Sequence, residues 1–308
     1  MFKIKNISIG SGEITASEIA LGCMRMANLT VKEAAGVIDS AIESGINFFD
    51  HADIYGGGKS EEIFSEAFGM TPSKREKIFI QSKCGIRDGY YDFSKEHILE
   101  AVDGSLRRLK TDYLDVLLLH RPDALVEPEE VAEAFTVLHS SGKVRYFGVS
   151  NHNPMQMELL GRYLNQKILV NQLQLSVMHT GMIDAGLHVN MKTDSAADRD
   201  GSVLDYCRLK GITVQAWSPF QYGFFNGVFL DNDKFPELNK RINAAAADKG
   251  VTNSAVAIAW LLRHPAKIQP VIGTMNKQRI KDICRASDIS LTRQEWYGIY
   301  RAAGNDIP

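Results

Sequence analysis

The sequence predicts a (β/α)8 TIM-type barrel with an N-terminal β-hairpin, one domain spanning residues 1–308. Three observations point there. Short apolar runs bounded by polar residues, such as Ile46-Asn47-Phe48-Phe49-Asp50, read as strands buried on both faces, as in a parallel sheet. These runs alternate with helically spaced apolar residues along the whole chain, and the alternation never breaks into two halves. No Pro/Gly/Ser-rich linker interrupts it, and 308 residues suit one large barrel.

From the N-terminus, residues 2–15 alternate polar and apolar around Gly10-Ser11-Gly12, which predicts a hairpin closing the barrel floor. Strands are expected near residues 19–23, 46–50, 78–83, 113–120, 146–150, 169–176, 213–217 and 270–274. Between them, Ala34, Ala35, Ile38, Ala41 and Ile42 recur at helical spacing, as do Ile98, Val102, Leu106 and Leu109. Gly56-Gly57-Gly58-Lys59-Ser60 fails as a phosphate loop because Asp53 stands where its first glycine belongs; it reads as a turn before a helix. No G-x-G-x-x-G follows a strand, so a Rossmann fingerprint is absent. Residues 177–201 are polar and long for a connection, and are expected to fold over the barrel mouth. Asn253 and Ser254 are expected to cap a helix over Ala255–Arg263 that Pro265 stops. Trp260 and Trp296 read as core, and Trp296-Tyr297 as a border of the substrate cleft.

Composition narrows the function classes. A formal net charge of -2 without a Lys/Arg block argues against nucleic-acid binding. No apolar stretch is long enough to span a bilayer, and no signal-peptide pattern opens the chain. Cys23, Cys84, Cys207 and Cys284 are far apart and form no Cys-x-x-Cys pair, so reduced, packed thiols and a cytoplasmic location are expected. His51, His152 and His179 match no metal spacing and read as rim or loop histidines near a pocket.

Chemistry concentrates at strand ends. Asp50, Lys83 and His120 each stand where an apolar run stops, with Tyr55 just past the first. In a closed parallel barrel these ends share the carboxyl-terminal rim, where catalytic groups are placed. A phenol is a poor acid at neutral pH, and a neighbouring ammonium lowers its pKa. Lys83 is the candidate ammonium, Asp50 the carboxylate that orients it, and His120 a second hydrogen-bonding group for a carbonyl oxygen. The set suits polarising and protonating C=O, with hydride supplied by a cofactor.

Gly45-Ile46-Asn47-Phe48-Phe49-Asp50-His51-Ala52-Asp53-Ile54-Tyr55-Gly56, then Ser82-Lys83, then Asp112-Tyr113-Leu114-Asp115 leading to His120-Arg121-Pro122-Asp123, then Gly142–Asn151, resemble the signatures of the aldo-keto reductase family in family order. The likeness runs from about Ile19 to Ile283 and is greatest to a bacterial branch of oxidoreductases. It implies an NADP-dependent oxidoreductase that reduces an aldehyde or ketone to an alcohol. Tyr55 would be the proton donor, His120 the carbonyl-orienting group, and Lys83 with Asp50 the pair that tunes Tyr55. By the same resemblance Ser150, Asn151 and Gln172 meet the nicotinamide carboxamide, Trp217 lies under the ring, and Ser218 starts the loop along the pyrophosphate. Gly22 and Cys23 are expected at the mouth beside the cofactor. Gly273, Thr274, Met275 and Arg279 match the 2′-phosphate site, although Gly273 replaces a lysine common in animal members. Regulatory channel subunits also occur in this family and remain the rival reading; a barrel hydrolase lacks the carboxylate pair or metal ligands it needs. The expected partner is a small carbonyl compound, with no nucleic acid, membrane or metal; substrate identity and oligomeric state are not legible.

Overall fold

A strand that is apolar on both faces is buried between a filled barrel interior and an outer helix layer, and the apolar strands Phe48–Asp50 and Leu114–Leu119 of this chain find that position. The computed structural model describes residues 4–307. Its strands are β1 (Asn6–Ile9), β2 (Ile14–Ser17), β3 (Ala20–Gly22), β4 (Phe48–Asp50), β5 (Phe79–Cys84), β6 (Leu114–Leu119), β7 (Val144–Ser150), β8 (Ile168–Gln174), β9 (Thr213–Trp217) and β10 (Gln269–Ile272). The helices are α1 (Val31–Glu43), α2 (Lys59–Phe68), α3 (Pro72–Arg75), α4 (Lys95–Leu109), α5 (Pro128–Ser140), α6 (Pro154–Tyr163), α7 (Gly181–Leu187), α8 (Val203–Lys210), α9 (Pro236–Lys249), α10 (Asn253–Leu262), α11 (Lys277–Cys284) and α12 (Arg293–Ala302). Strands β3 to β10 close a parallel barrel in the order β10-β3-β4-β5-β6-β7-β8-β9. No helix among the described residues is long and apolar enough to cross a membrane.

Side-chain caps set helix starts. The Thr30 hydroxyl accepts the Glu33 N–H while the Glu33 carboxylate accepts the Thr30 N–H, so two orphan donors are satisfied where α1 begins. At α10 the cap is Thr252, whose Oγ1 accepts the Ala255 N–H at 3.3 Å, and the helix therefore begins at Asn253 rather than after Ser254. In β7, a Cβ on Gly148 would come within 2.7 Å of the Val170 carbonyl oxygen, so glycine lets the strand pack there.

The hairpin β1–β2 closes the floor, as expected, although positions 2 and 3 of the predicted range lie outside the described residues. Ile9, Ile14 and Ala16 pack with Phe48, Val116, Leu118, Leu169 and Val170 to plug the barrel. Gly10 turns at φ +66°, and its N–H donates to Thr213 Oγ1 at the foot of β9.

Above the plug lies a polar layer that the ends of the apolar runs did not signal. Gln269 Nε2 donates to Ser17 O (2.7 Å) and Gln215 Nε2 to Gln269 Oε1 (2.9 Å). Gln81 and Gln172 each donate to Gln215 Oε1 and to Asp50 Oδ1. A hydrogen-bonded column thus joins the floor to the rim, and each amide nitrogen in it finds an acceptor despite burial.

Two expectations about the mouth are corrected. Residues 177–201 do not cover it: they form α7 and a short 3-10 turn, and none borders the rim cleft. Met178, Met182, Ile183 and Leu187 pack inward, and the Tyr300 hydroxyl donates to Asp184 Oδ1 (2.6 Å), fastening α7 to α12. Trp296 and Tyr297 likewise lie off the cleft. Trp296 stacks on Trp260 with ring centroids 4.5 Å apart, and each indole N–H donates to the other's carbonyl.

Candidate active site

Asp50 ends β4, Lys83 stands one residue before the end of β5, and His120 follows β6, so the barrel brings three sequence-distant groups to one rim. Tyr55 reaches the same point from the turn after β4. Lys83 Nζ is fully buried and uses all its donors, on Asp50 (2.8 Å), His51 O (2.7 Å) and the Tyr55 hydroxyl (3.1 Å). The Tyr55 and His120 rings meet edge-on at 6.0 Å. The structure therefore assembles all four residues singled out in the sequence.

The electrostatics differ from the expectation in one respect. Burial pushes the Tyr55 phenol above its ordinary value, and the Lys83 ammonium offsets that only in part. An acidified phenol was expected; in the free site it is instead firmly protonated. Burial opposes the Lys83 charge too, but Asp50 and Tyr55 outweigh it, so the ammonium is held above the usual lysine range. Burial, reinforced by Lys83 and Arg121, holds His120 well below the usual imidazole value, which makes it neutral at pH 7; its Nδ1 is buried without a partner. Asp53, not singled out in the sequence, is pushed up to about 7 by burial and then by the Glu61 charge. Its placement beside the Tyr55 turn had no sequence signal apart from proximity.

A cleft of about 1240 Å³ opens over this rim. Asp50, Tyr55 and His120 border one end, where Ile54, Ile86 and Phe225 form apolar wall. Ser150, Asn151, Gln172, Trp217 and Ser218 border it too, and the first four are mutually fastened. Ser150 Oγ donates to Gln172 O, Asn151 Nδ2 to Ser150 Oγ, and Trp217 Nε1 to Asn151 Oδ1. Asn151 (φ 60°) and Ser218 (φ 51°) both hold left-handed backbone, a cost of about 1–3 kcal/mol each that clusters at functional sites. Gly22 borders the floor of the cleft, and Gly273, Thr274, Met275 and Arg279 its far end at the N-terminus of α11. Arg25, missed in the sequence, donates to Gly273 O at 3.1 Å and borders the cleft there, so a cation stands where the side chain of residue 273 is absent.

Cys23 departs from the expectation. It is fully buried behind the rim, its Sγ donating to Leu21 O and its N–H to Asp50 O, and it does not border the cleft. Burial pushes its thiol well above the usual value, as it does for Cys84. The three histidines lie in the loops after β4, β7 and β8, as expected, but none borders the cleft. His51 is buried against Phe64, His152 is buried against Phe93 and bonded to Ser150 O, and His179 turns back onto Ser176. No cluster among the described residues could hold a metal ion.

A dinucleotide fits these residues. The cleft exceeds the roughly 300–1,000 Å³ of an ordinary small-molecule site, and it joins hydrogen-bonding groups and a flat indole to two guanidinium groups and a helix N-terminus at its far end. The profile of the Aldo/keto reductase family matches residues 18–302. The oxidoreductase YcsN of Bacillus subtilis (strain 168) is 39% identical over 295 residues, covering 91% of this chain and 92% of that protein. The oxidoreductase YdhF of Escherichia coli (strain K12) is 34% identical over 319 residues, covering 99% and 100%. Among solved structures, the Bombyx mori aldo-keto reductase in complex with NADP superposes with a TM-score of 0.75 at 21% identity, covering 98% of this chain and 94% of that one.

Proposed function

The chain belongs to the aldo/keto reductase family, and from that premise we propose that it is an NADPH-dependent oxidoreductase that reduces an aldehyde or ketone to an alcohol. When bound, NADPH would supply the hydride taken up by the carbonyl carbon, and Tyr55 would supply the proton that completes the alcohol. The observation that carries this reading is the Asp50–Lys83–Tyr55 chain of contacts at 2.8 and 3.1 Å beside His120.

Tyr55 holds its proton at neutral pH because burial keeps the phenol neutral, so the acid form is the resting form. As that proton leaves, the Lys83 ammonium at 3.1 Å is already in place to stabilise the phenolate, with no reorganisation. His120, neutral, would donate a ring N–H to the carbonyl oxygen and hold it near Tyr55. Asp50 anchors Lys83, and the glutamines anchor Asp50. Ser150, Asn151 and Gln172 are the groups that would hold the carboxamide, Trp217 would back the nicotinamide ring, and Arg279 with Thr274 would take the 2′-phosphate. The whole chain acts as one domain, and its four buried, unbridged cysteines support a reducing compartment, the cytoplasm.

Tyr55→Phe tests the reading. It removes the proton together with the hydroxyl that accepts from Lys83, so turnover of aldehydes with NADPH should fall by about 10²–10⁴ while NADPH still quenches tryptophan fluorescence with nearly unchanged affinity. Undiminished turnover in that variant would discard Tyr55 as the acid.

A further inference from the structure

We propose that Arg121 reads the charge of the substrate, and that the carbonyl compound reduced here carries a carboxylate. This deepens the reductase reading and rests on it. Arg121 is the residue after His120, and its side chain borders the cleft at the catalytic end. Its guanidinium carbon lies 5.8 Å from the Trp217 ring and 5.7 Å from the Phe224 ring. Among the described residues it makes no side-chain hydrogen bond and no ion pair. Other arginines of this chain are treated differently: Arg75, Arg108 and Arg145 each meet a carboxylate, at 2.6, 2.8 and 3.2 Å. The aspartate nearest in sequence is committed elsewhere, since Asp123 accepts the Phe93 and Leu125 N–H groups.

A half-buried guanidinium without a counter-charge is costly, and aromatic faces offset only part of that cost. The natural complement is an anion brought by the ligand. A carboxylate matches the guanidinium fork with two parallel hydrogen bonds, and the apolar walls of Ile54, Ile86 and Phe225 would strip water from the pair. Lys83 cannot serve this purpose because its three donors are already used. Because Arg121 adjoins His120, a carboxylate seated on it leaves the carbonyl a few bonds away, within reach of Tyr55.

The experiment compares 4-carboxybenzaldehyde with its neutral methyl ester, in wild type, Arg121→Lys and Arg121→Met, with NADPH oxidation as readout. Wild type should prefer the acid by about tenfold or more in kcat/KM, mainly through KM, as expected for a charge-assisted hydrogen-bonded pair. Arg121→Met should bring the acid-to-ester ratio near one, and Arg121→Lys should restore part of it. Binding is read separately: benzoate should quench tryptophan fluorescence at much lower concentration than benzamide in wild type, and at the same concentration in Arg121→Met. Equal use of acid and ester by wild type, a ratio that survives Arg121→Met, or an effect of Arg121→Met on the KM of NADPH alone overturns the proposal. If neither aldehyde is reduced, the reductase reading fails instead, and the benzoate titration still decides whether Arg121 takes a carboxylate.

Discussion

Arg279 stands in the first turn of α11, where its own N–H donates to Asn276 Oδ1 and its side chain is exposed along the far end of the cleft. At such a position a guanidinium is free to pair with a phosphate, but solvent and salt weaken the pair. Replacing it with alanine should therefore raise the KM for NADPH by about tenfold or somewhat more, and leave that for NADH little changed. The excess should shrink as salt is added. Steady-state kinetics with both dinucleotides decides this: equal effects on the two would remove Arg279 from the 2′-phosphate. Arg25 complicates a complete loss, because its guanidinium stands over Gly273 close by and keeps some positive charge there. Of the candidate catalytic residues, Asp50, Lys83 and His120 were legible in the sequence because each ends an apolar run, and Tyr55 because it follows the first. Arg25, in a short 3-10 turn, and Arg121, in a loop, were not, since a lone arginine looks the same whether it faces solvent or a cleft.

At the scale of elements, one buried ion pair fastens the start of the barrel wall. Arg75 at the end of α3 donates to Asp115 Oδ2 at 2.6 Å, to the Ile78 and Tyr113 carbonyls and to the Thr111 hydroxyl. Asp115 in turn accepts the Ile80 N–H, so β5 and β6 are tied at their feet. Asp115→Ala would leave the Arg75 charge buried and unpaired, and should cost about 3–5 kcal/mol of stability. Urea unfolding measures it, and a loss under about 1 kcal/mol would show the pair to be no stronger than an exposed one. Asp115 belongs to a sequence motif that pointed to function, yet its contacts are those of a fastener. The eight strands were readable because burial on both faces leaves an unbroken apolar run. Residues 177–201 misled because polarity marks exposure, and an exposed segment can lie beside α12 as readily as across the mouth. The glutamine layer was harder still. Gln81, Gln172, Gln215 and Gln269 each sit within or beside a predicted strand, and only the barrel's register turns four isolated amides into one column.

For the molecule as a whole, buried titratable groups set how stability responds to acid. Burial holds His51 at about 3 and His152 at about 4, against 6.5 for a free imidazole. Between 6.5 and about 4 the unfolded chain binds protons at both sites while the folded chain binds few, so stability falls as pH falls through that window. Each such group contributes up to about 1.4 kcal/mol per pH unit. Asp53 acts in the opposite sense. Raised to about 7 from 3.8, it is protonated in the folded chain and ionised in the unfolded one between those values, and it gains stability on acidification. His264, also held at about 4, and His120, held well below the free imidazole value, act in the same sense as His51 and His152, so the histidines outweigh Asp53 and stability declines as pH falls below 6.5. This begins before the ordinary carboxylates titrate. Urea midpoints measured down this range should therefore decline, and the decline should flatten in His51→Leu and steepen in Asp53→Asn. His51 is the sharper probe, since both its ring nitrogens are buried without partners and its loss deletes no hydrogen bond of the ring. An unaltered slope in His51→Leu would mean that this imidazole is solvated or charged in the folded chain.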